Sequence, residues 1–287
     1  MGAREPGSAR AAMSIAVKDA FGQPFALAAP ARRIVSLIPS VTEILFSLEA
    51  GDRVAGVTKF CSEPADGVKT KAKVGGPKNP RRDIILGLAT DLVVASVEEN
   101  HRADVEALRA AGVPVFVTFP RTVREGIQLI RDLGVLAGNP ERAEFIATSC
   151  EEAVAAVERV NGGQARVRVF CPIWRRPYMT INADTYVDSV LRTCGGENIF
   201  RDRPERYPTV SLTEVAALRP DIVLLPDEPF PFGRNHLEDF RGLPDVPAIC
   251  TGHLRFVDGK ILSWYGPRIA QSLRTLAGVL RERGTEG

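Results

Sequence analysis

One short pattern occurs twice in this sequence, once in each half. The stretch GLATDLVVAS around Asp91 resembles ALRPDIVLLP around Asp221, which lies 130 residues further along the chain. Each stretch is followed by a polar helical segment and then by a predicted strand that begins with a Val-Pro pair, at Val113 and at Val246, 133 residues apart. Two similarly built α/β lobes would explain this nearly constant offset, whereas a solenoid needs more copies. Chance similarity of short apolar runs is the alternative.

Within each half, apolar runs typical of buried strands alternate with segments that carry helix-start and helix-stop residues. In the first half, the capping-box spacing from Ser40 to Glu43 predicts a helix start, and Gly112 and Gly138 predict helix ends. The predicted strands are residues 33–38, 91–95, 113–118, 166–170 and 222–225. The predicted helices are residues 42–49, 103–111, 122–137 and 184–193.

A single long helix is predicted between the two halves. Asn139 suits the N-cap, Pro140 suits the first helical position, and Glu141 complements the positive helix end. Apolar residues then recur at spacings of three and four up to Val160, and Gly162 follows. At about 1.5 Å per residue this helix is roughly 30 Å long, enough to run along both halves. We therefore expect a stiff cleft with small closure motions.

The predicted fold class is α/β, with two Rossmann-like three-layer lobes joined by a single long helix. Residues 1–30 are predicted to form an N-terminal leader and edge hairpin, and residues 31–138 the N-terminal lobe. Residues 139–163 form the predicted linking helix, and residues 164–287 the C-terminal lobe. The length of 287 residues exceeds one average domain, which agrees with two lobes.

Charge and composition argue against several other classes of protein. A net charge of +2 is too balanced for a nucleic-acid-binding surface, and no apolar stretch reaches the roughly 18 residues of a membrane span. The residues from Met1 to Ala12 contain no apolar core of a secretion signal, and the five cysteines form no CxxC pair. We therefore expect a cytoplasmic protein that begins at Met1 or Met13, with no nucleic-acid partner and no membrane insertion. We also expect a monomer.

Four segments carry a resemblance to a known family: RIVSLIPSVTEILFSLEAGDRVAGVT, LATDLVV, LRAAGVPVFV and CGGENIF. The chain resembles the helix-linked ABC-importer substrate-binding proteins for iron-siderophores, haem and vitamin B12, and the first and last segments are nearest the cobalamin-binding type. This resemblance implies a noncatalytic protein that requires no cofactor. The implied ligand is a corrinoid such as cobalamin, or another metal chelate such as haem or a ferric siderophore, held in the cleft between the lobes. The implied partner is an ABC permease.

The candidate ligand-binding residues lie in loops after strands or at helix starts, where open α/β sheets bind ligands. The resemblance implies ligand contacts for Phe60, Tyr207 and Arg268, which match ligand-contacting positions of the B12-binding type. The aromatic and guanidinium groups elsewhere suit a flat ring system that carries carboxylates or amides. The complete predicted set is Phe60, Glu98, Trp174, Arg175, Tyr178, Tyr207, Trp264, Tyr265 and Arg268.

Metal ligation by the protein and catalysis are the alternatives to simple binding. Cys61 is a candidate soft ligand for cobalt or iron, but a small buried thiol is the simpler interpretation. His101 is the other candidate metal ligand, and it follows the adjacent carboxylates Glu98 and Glu99, only one of which can face the cleft. Helix capping and solvent exposure are the simpler interpretation of this segment. A chelatase-like tetrapyrrole enzyme would need this histidine for proton transfer. The lack of a signal favours a third hypothesis, a cytoplasmic sensor or storage module for the same ligands.

Overall fold

An edge hairpin begins the part of the chain that the computed structural model describes, residues 15–243 and 245–282. The predicted leader from Met1 to Ala12, and with it the choice between Met1 and Met13, lies outside the described residues. Strands β1 (Ile15–Lys18) and β2 (Pro24–Leu27) pair antiparallel, as expected for the hairpin. Gly22 in the turn has a φ of 73°, a conformation that glycine adopts without steric cost.

The first half, which we call the N-terminal lobe, alternates strands and helices. In chain order they are β3 (Ile34–Ser36), α1 (Pro39–Ser47), β4 (Val54–Val57), α2 (Ala65–Lys69), β5 (Ala72–Lys73), β6 (Gly75–Gly76), β7 (Asn79–Pro80), α3 (Arg82–Gly87), β8 (Leu92–Ser96), α4 (Arg102–Ala110), β9 (Val115–Thr118) and α5 (Val123–Ala137). Strands β6 and β7 form a small hairpin, and the other five form a parallel sheet of order β5-β4-β3-β8-β9. Numbered along the chain, this order is 3-2-1-4-5, which matches the first five strands of the Rossmann order 3-2-1-4-5-6.

One helix, α6 (Pro140–Asn161), connects the two halves. The second half, the C-terminal lobe, contains β10 (Val167–Phe170), β11 (Tyr178–Met179), α7 (Tyr186–Thr193), β12 (Gly196–Asn198), β13 (Thr209–Val210), α8 (Leu212–Leu218), β14 (Ile222–Pro226), α9 (Pro247–Cys250), β15 (Leu254–Val257), α10 (Lys260–Ser263) and α11 (Ile269–Arg281). Strands β11 and β13 pair antiparallel, and the other four form a parallel sheet of order β12-β10-β14-β15. Two parallel sheets joined by one long helix are the predicted fold class, while the exact domain boundaries stay a prediction.

The repeated sequence pattern forms the same local structure in both lobes. The carboxylate of Asp91 accepts a hydrogen bond from the backbone N–H of Arg33, just before β3, at 2.9 Å. The carboxylate of Asp221 accepts one from the backbone N–H of Arg168, in β10, also at 2.9 Å. In each sheet, an aspartate before one central strand therefore fixes the start of the neighbouring strand. The constant sequence offset reflects a structural repeat.

The repeat does not extend to the second Val-Pro pair. Val113 precedes strand β9, but Val246 is the N-cap of the short helix α9, and the strand that follows is β15. The strand predicted at Val246 is therefore wrong, because Pro247 takes the first position of a helix, where its fixed φ and missing N–H cost nothing.

The predicted start of α1 is also wrong. Pro39 begins this helix, so Ser40 lies inside it and makes no capping box with Glu43. Capping boxes form instead at Thr122, which starts α5 as predicted, and at Ser211, which starts α8. The carboxylate of Glu43 is consequently available for a contact with the other lobe.

Side chains of the central strands alternate between two cores, as the two-residue period of a strand requires. Leu92 and Val94 of β8 face an inner core together with Ile222 and Leu224 of β14, and this core also contains the apolar stripe of α6. The intervening residues, such as Val93, face an outer core that belongs to their own lobe alone. Because both sheets contribute one face to the inner core, the lobes are packed into a single unit.

Candidate functional site

A cavity of about 980 Å³ lies between the lobes. In each sheet the strand order reverses beside the first central strand, between β3 and β8 and between β10 and β14. The loops that follow these four strands all reach the cavity, with Pro39, Glu98, Ile173 and Glu228 among the lining residues. Open α/β sheets bind ligands at this edge. The cavity therefore occupies the place where the sequence analysis expects a ligand.

Five of the predicted residues contribute aromatic rings to the cavity. Phe60, Trp174 and Tyr207 are exposed, with 58%, 45% and 39% of their surface accessible to solvent. Trp264 and Tyr265 are buried but also reach the cavity. Exposed aromatic rings in a concave surface are typical of a binding site, because a ligand can cover the faces that the fold leaves in water.

Arg268 lies outside the cavity lining and contacts Trp264 from the side, and its predicted ligand contact stays a prediction. Its guanidinium lies 4.9 Å from the centroid of the Trp264 ring, and its Nε donates to Oε2 of Glu43 at 2.7 Å. Lys260 lies against the same ring, 5.0 Å from the centroid. The contact with Arg268 positions the ring of Trp264. Because Glu43 belongs to the N-terminal lobe, the Arg268–Glu43 pair also connects the two lobes.

Arg175 and Tyr178 also lie outside the cavity lining, and their ligand contacts likewise stay predictions. Both bind Asp239: two nitrogens of Arg175 donate at 2.6 and 2.7 Å, and the hydroxyl of Tyr178 donates at 2.6 Å. The hydrogen bonds from Arg175 lower the pKa of Asp239 to about 2, so this carboxyl is ionised at neutral pH. The three side chains hold the loop that presents Trp174 to the cavity.

Glu98 reaches across the cavity to the C-terminal lobe. One of its oxygens accepts hydrogen bonds from Nε of Arg206, at 3.0 Å, and from the hydroxyl of Tyr207. Burial, reinforced by Glu98, raises the pKa of Tyr207 to about 12, so the hydroxyl keeps its proton and donates. The guanidinium of Arg206 lies 4.6 Å from the ring centroid of Phe119, which also lines the cavity. The sequence analysis missed Arg206 and Phe119, although Phe119 follows directly after β9.

Ion pairs connect the two lobes. Within the described part of the chain there are four, and three of them combine a glutamate of the N-terminal lobe with a base of the C-terminal lobe. Pairs of this kind oppose separation of the lobes, although each contributes little where it is exposed. They are Glu43–Arg268, Glu63–Lys260, Glu98–Arg206 and Arg121–Asp184.

Several titratable groups of the cavity lining are shifted towards their neutral forms. Burial raises the pKa of the Tyr265 hydroxyl and that of the Cys171 thiol, each to about 12, so both keep their protons at neutral pH. Burial also raises the pKa of Glu99 and of Glu228. A protonated thiol is a poor nucleophile and a poor metal ligand. Cys171 is therefore suited neither to nucleophilic attack nor to metal ligation.

The two candidate metal ligands lie apart from the cavity lining. Cys61 is buried; the hydroxyl of Thr42 donates to its sulfur at 3.1 Å, and the hydroxyl of Thr58 lies 3.2 Å from it. His101 is exposed at the N-cap of α4 and makes no side-chain capping bond. Across residues 15–243 and 245–282, no cluster of three or more His, Cys, Asp or Glu side chains could hold a metal ion. This geometry gives the two predicted metal contacts no support.

Comparison with known proteins shows the family of this chain. The sequence profile described as "Periplasmic binding protein" matches residues 34–260. The chain belongs to the periplasmic binding protein family. One similar member is the vitamin B12-binding protein of Vibrio parahaemolyticus, which is 26% identical over 249 residues. The match covers 85% of this chain and 87% of that protein.

Two solved structures have the fold of this periplasmic binding protein. The periplasmic vitamin B12-binding protein BtuF of Vibrio cholerae has a TM-score of 0.79 at 22% identity and covers 90% of this chain and 99% of its own. The periplasmic haem-binding protein RhuT of Roseiflexus sp. RS-1 has a TM-score of 0.75 at 26% identity, with 88% and 98% covered. The predicted family and the two-lobed fold are confirmed.

Membership of the periplasmic binding protein family decides two further expectations. The chain is a noncatalytic binding protein, as predicted, and the chelatase-like hypothesis is dropped. The predicted cytoplasmic location is wrong, because the matching family and both solved structures are periplasmic binding proteins. The sensor or storage hypothesis depended on that location and is dropped with it. Among the described residues, no helix combines the length and apolar character needed to cross a membrane.

Proposed function

We propose that this periplasmic binding protein holds a corrinoid in the cavity between its lobes and presents it to the permease of an ABC importer. The observation that supports this most is the cavity itself, about 980 Å³ in volume and lined by aromatic side chains from both lobes. That volume lies near the upper end of the roughly 300–1,000 Å³ typical of ligand sites. It suits a ligand as large as a tetrapyrrole.

The arrangement of the aromatic rings suits a flat ligand. Phe60 reaches the cavity from the N-terminal lobe, and Trp174, Tyr207 and Trp264 reach it from the C-terminal lobe. Rings on opposite sides can pack against both faces of a planar chelate. The named relative from Vibrio parahaemolyticus binds vitamin B12 and RhuT binds haem, and both ligands are planar metal chelates. A corrinoid is preferred because the matching sequence segments are nearest the B12-binding type.

A titration with coloured chelates tests the proposed function. The purified protein is mixed with cyanocobalamin, haemin or a ferric siderophore, and the visible absorbance of the bound chelate is recorded. Cyanocobalamin is expected to bind to one site per chain. The proposal is overturned if cyanocobalamin does not bind, whether or not one of the other two chelates does.

Trp174 is expected to report binding. It is 45% exposed and meets Phe230 edge-to-face at 5.6 Å, whereas Trp264 is only 8% exposed. A bound corrinoid should quench the fluorescence of Trp174, and Trp174→Leu should remove most of that change. The same variant should weaken binding roughly 2- to 13-fold, since a stacked ring contributes about 0.5–1.5 kcal/mol beyond its buried area.

Phe21→Ala is the matched control for this variant. Phe21 is 63% exposed in the turn of the edge hairpin, outside the cavity lining, and its loss should change neither affinity nor quenching. Undiminished quenching in Trp174→Leu protein would place the ligand elsewhere.

A further inference from the structure

A second cavity, of about 750 Å³, lies next to helix α7 and is separate from the first. Tyr186 and Val187 of this helix line the first cavity, whereas Ser189 and Arg192 line the second. The start of α5 and the ends of α6 and α11 contribute further walls. No described residue belongs to both linings. The proposed function therefore makes no use of the second cavity.

Five arginines line the second cavity, and most of their positive charge is unbalanced. The guanidinium groups of Arg124 and Arg192 make no hydrogen bond and no ion pair with any described residue. Those of Arg166 and Arg281 bind backbone carbonyls, which carry no net charge, at 3.0 to 3.1 Å. Among the five, Arg121 alone pairs with described carboxylates. A cleft lined by one sign of charge attracts ions of the opposite sign, because its low-dielectric walls focus the field.

The two acidic residues of the described lining oppose an anion only weakly. Glu158 is exposed near the end of α6, where solvent and salt screen its charge. Asp188 is buried, and its Oδ1 has no hydrogen-bond partner within the described chain. Burial raises the pKa of Asp188, which disfavours the charged form of this carboxyl. The balance of charge in the second cavity is therefore positive.

The two unpaired arginines lie on neighbouring helices of different lobes. Arg124 is in the first turn of α5, and Arg192 is in the last turn of α7. The two helices meet where the backbone N–H of Val123 donates to the hydroxyl of Ser189 at 3.0 Å. Val123 directly precedes Arg124, and Ser189 lies three positions before Arg192, on the same face of its helix. Both guanidinium groups therefore border the same part of the cavity.

We propose that the second cavity binds a small, soluble anion that carries phosphate groups. The planar fork of a guanidinium group donates two parallel hydrogen bonds to a phosphate, and it stays charged at any physiological pH. An anion held by Arg124 and Arg192 connects a helix of the N-terminal lobe to a helix of the C-terminal lobe. Its binding does not depend on the ligand of the first cavity.

Calorimetric titration with inorganic pyrophosphate at neutral pH and low salt tests the proposal. Wild-type protein is expected to bind at one site with a dissociation constant below about 1 mM, and about 0.5 M NaCl should weaken the binding by screening. Arg124→Gln and Arg192→Gln should each weaken binding roughly fivefold, and the double variant more than tenfold. Arg274→Gln is the matched control, because Arg274 is exposed on α11 outside the lining, and it should leave the affinity unchanged.

Three outcomes would overturn the proposal. The first is that wild-type protein shows no binding at about 10 mM pyrophosphate. The second is binding that the double variant retains, which would place the anion elsewhere. The third is sedimentation with phosphatidylglycerol vesicles that requires the same two arginines and that pyrophosphate does not compete with, which would assign them to a lipid headgroup. Circular dichroism checks the fold of each variant; neither arginine has a partner to lose, so both variants should fold.

Discussion

Asp239 binds the loop that carries Trp174 through three hydrogen bonds, two from Arg175 and one from Tyr178. A guanidinium that donates two bonds to one carboxylate is among the strongest hydrogen-bonded pairs in proteins. The sequence predicted that this loop reaches the cavity, and Trp174 does reach it. It could not predict that Arg175 turns away, because its partner lies 64 residues further along the chain and no local pattern connects the two.

Replacement of the Asp239 carboxylate should destabilise the folded protein. Asp239→Asn is expected to lower the free energy of unfolding at neutral pH by about 2 kcal/mol, the typical contribution of hydrogen bonds to a charged group. The pKa of Asp239 falls from 3.8 to about 2 in the folded protein, mainly through the bonds from Arg175. The unfolded chain therefore binds more protons between these values, so the stabilisation is complete above about pH 4 and lost as the pH falls towards 2.

Chemical denaturation of wild-type and Asp239→Asn protein at pH 7 and at pH 3 measures this difference, which should be smaller at pH 3. Asp66→Asn is the control, since the Asp66 side chain is 98% exposed and its ion pair with Lys69 should contribute little. A difference that is the same at both pH values would mean that the charge of Asp239 is not the stabilising feature.

Helices α5 and α6 approach closely because small residues face each other between them. A Cβ atom at Gly134 would lie 2.2 Å from the Cβ of Ala143 and 3.2 Å from the carbonyl oxygen of Asn139. The sequence predicted the end of α5 at Gly138 and the start of α6 at Pro140, since both residues act through local backbone preferences. It could not predict the role of Gly134, because the need for glycine there comes from a helix packed against it.

The same substitution should therefore have opposite effects in two helices. Gly134→Ala is expected to destabilise the protein by about 1–3 kcal/mol, because the added methyl group must displace α6. Gly278→Ala, in α11, meets no atom within 4 Å and should stabilise by about 0.5–1 kcal/mol through better helix propensity. Urea denaturation measures the free energy of unfolding, which should fall in Gly134→Ala protein and rise in Gly278→Ala protein. An unchanged free energy of unfolding in Gly134→Ala protein would show that α6 can move without cost.

The spacing of Ser40 and Glu43 shows a different limit of sequence analysis. Glu43 lies three positions after Ser40, as in a capping box, yet Pro39 starts the helix before either residue can cap it. The spacing of Ser40 and Glu43 alone does not determine where the helix begins. Glu43 pairs instead with Arg268, 225 residues away, and this pair could only be found in the folded chain.

The inner core makes the two lobes one thermodynamic unit. It contains one face of each sheet together with α6, so the lobes cannot separate without exposing apolar surface of both. The ion pairs between the lobes act in the same direction. Closure around a ligand is therefore expected to be a small movement, in agreement with a single rigid connecting helix.

This coupling predicts cooperative unfolding across the whole molecule. Both tryptophans, Trp174 and Trp264, lie in the C-terminal lobe. Val93→Ala removes apolar volume from the outer core of the other lobe and should cost about 2 kcal/mol. If the lobes unfold together, the midpoint seen by tryptophan fluorescence should shift as much as the midpoint seen by far-UV circular dichroism.

Val223→Ala, in the outer core of the C-terminal lobe, is the matched comparison and should shift both midpoints alike. A fluorescence midpoint that stays at its wild-type value in Val93→Ala protein would show that the lobes unfold independently.

The repeat has a consequence for the way a ligand is oriented. Glu98 and Glu228 stand 130 residues apart, at the same offset as Asp91 and Asp221, and each lies in the loop after the corresponding strand. Two of the loops that line the cavity therefore occupy corresponding places in the two lobes. Their side chains differ, because Glu98 accepts a hydrogen bond from Arg206 whereas Glu228 accepts one from Ser263. We expect these unequal carboxyls to decide which face of a flat ring points outward.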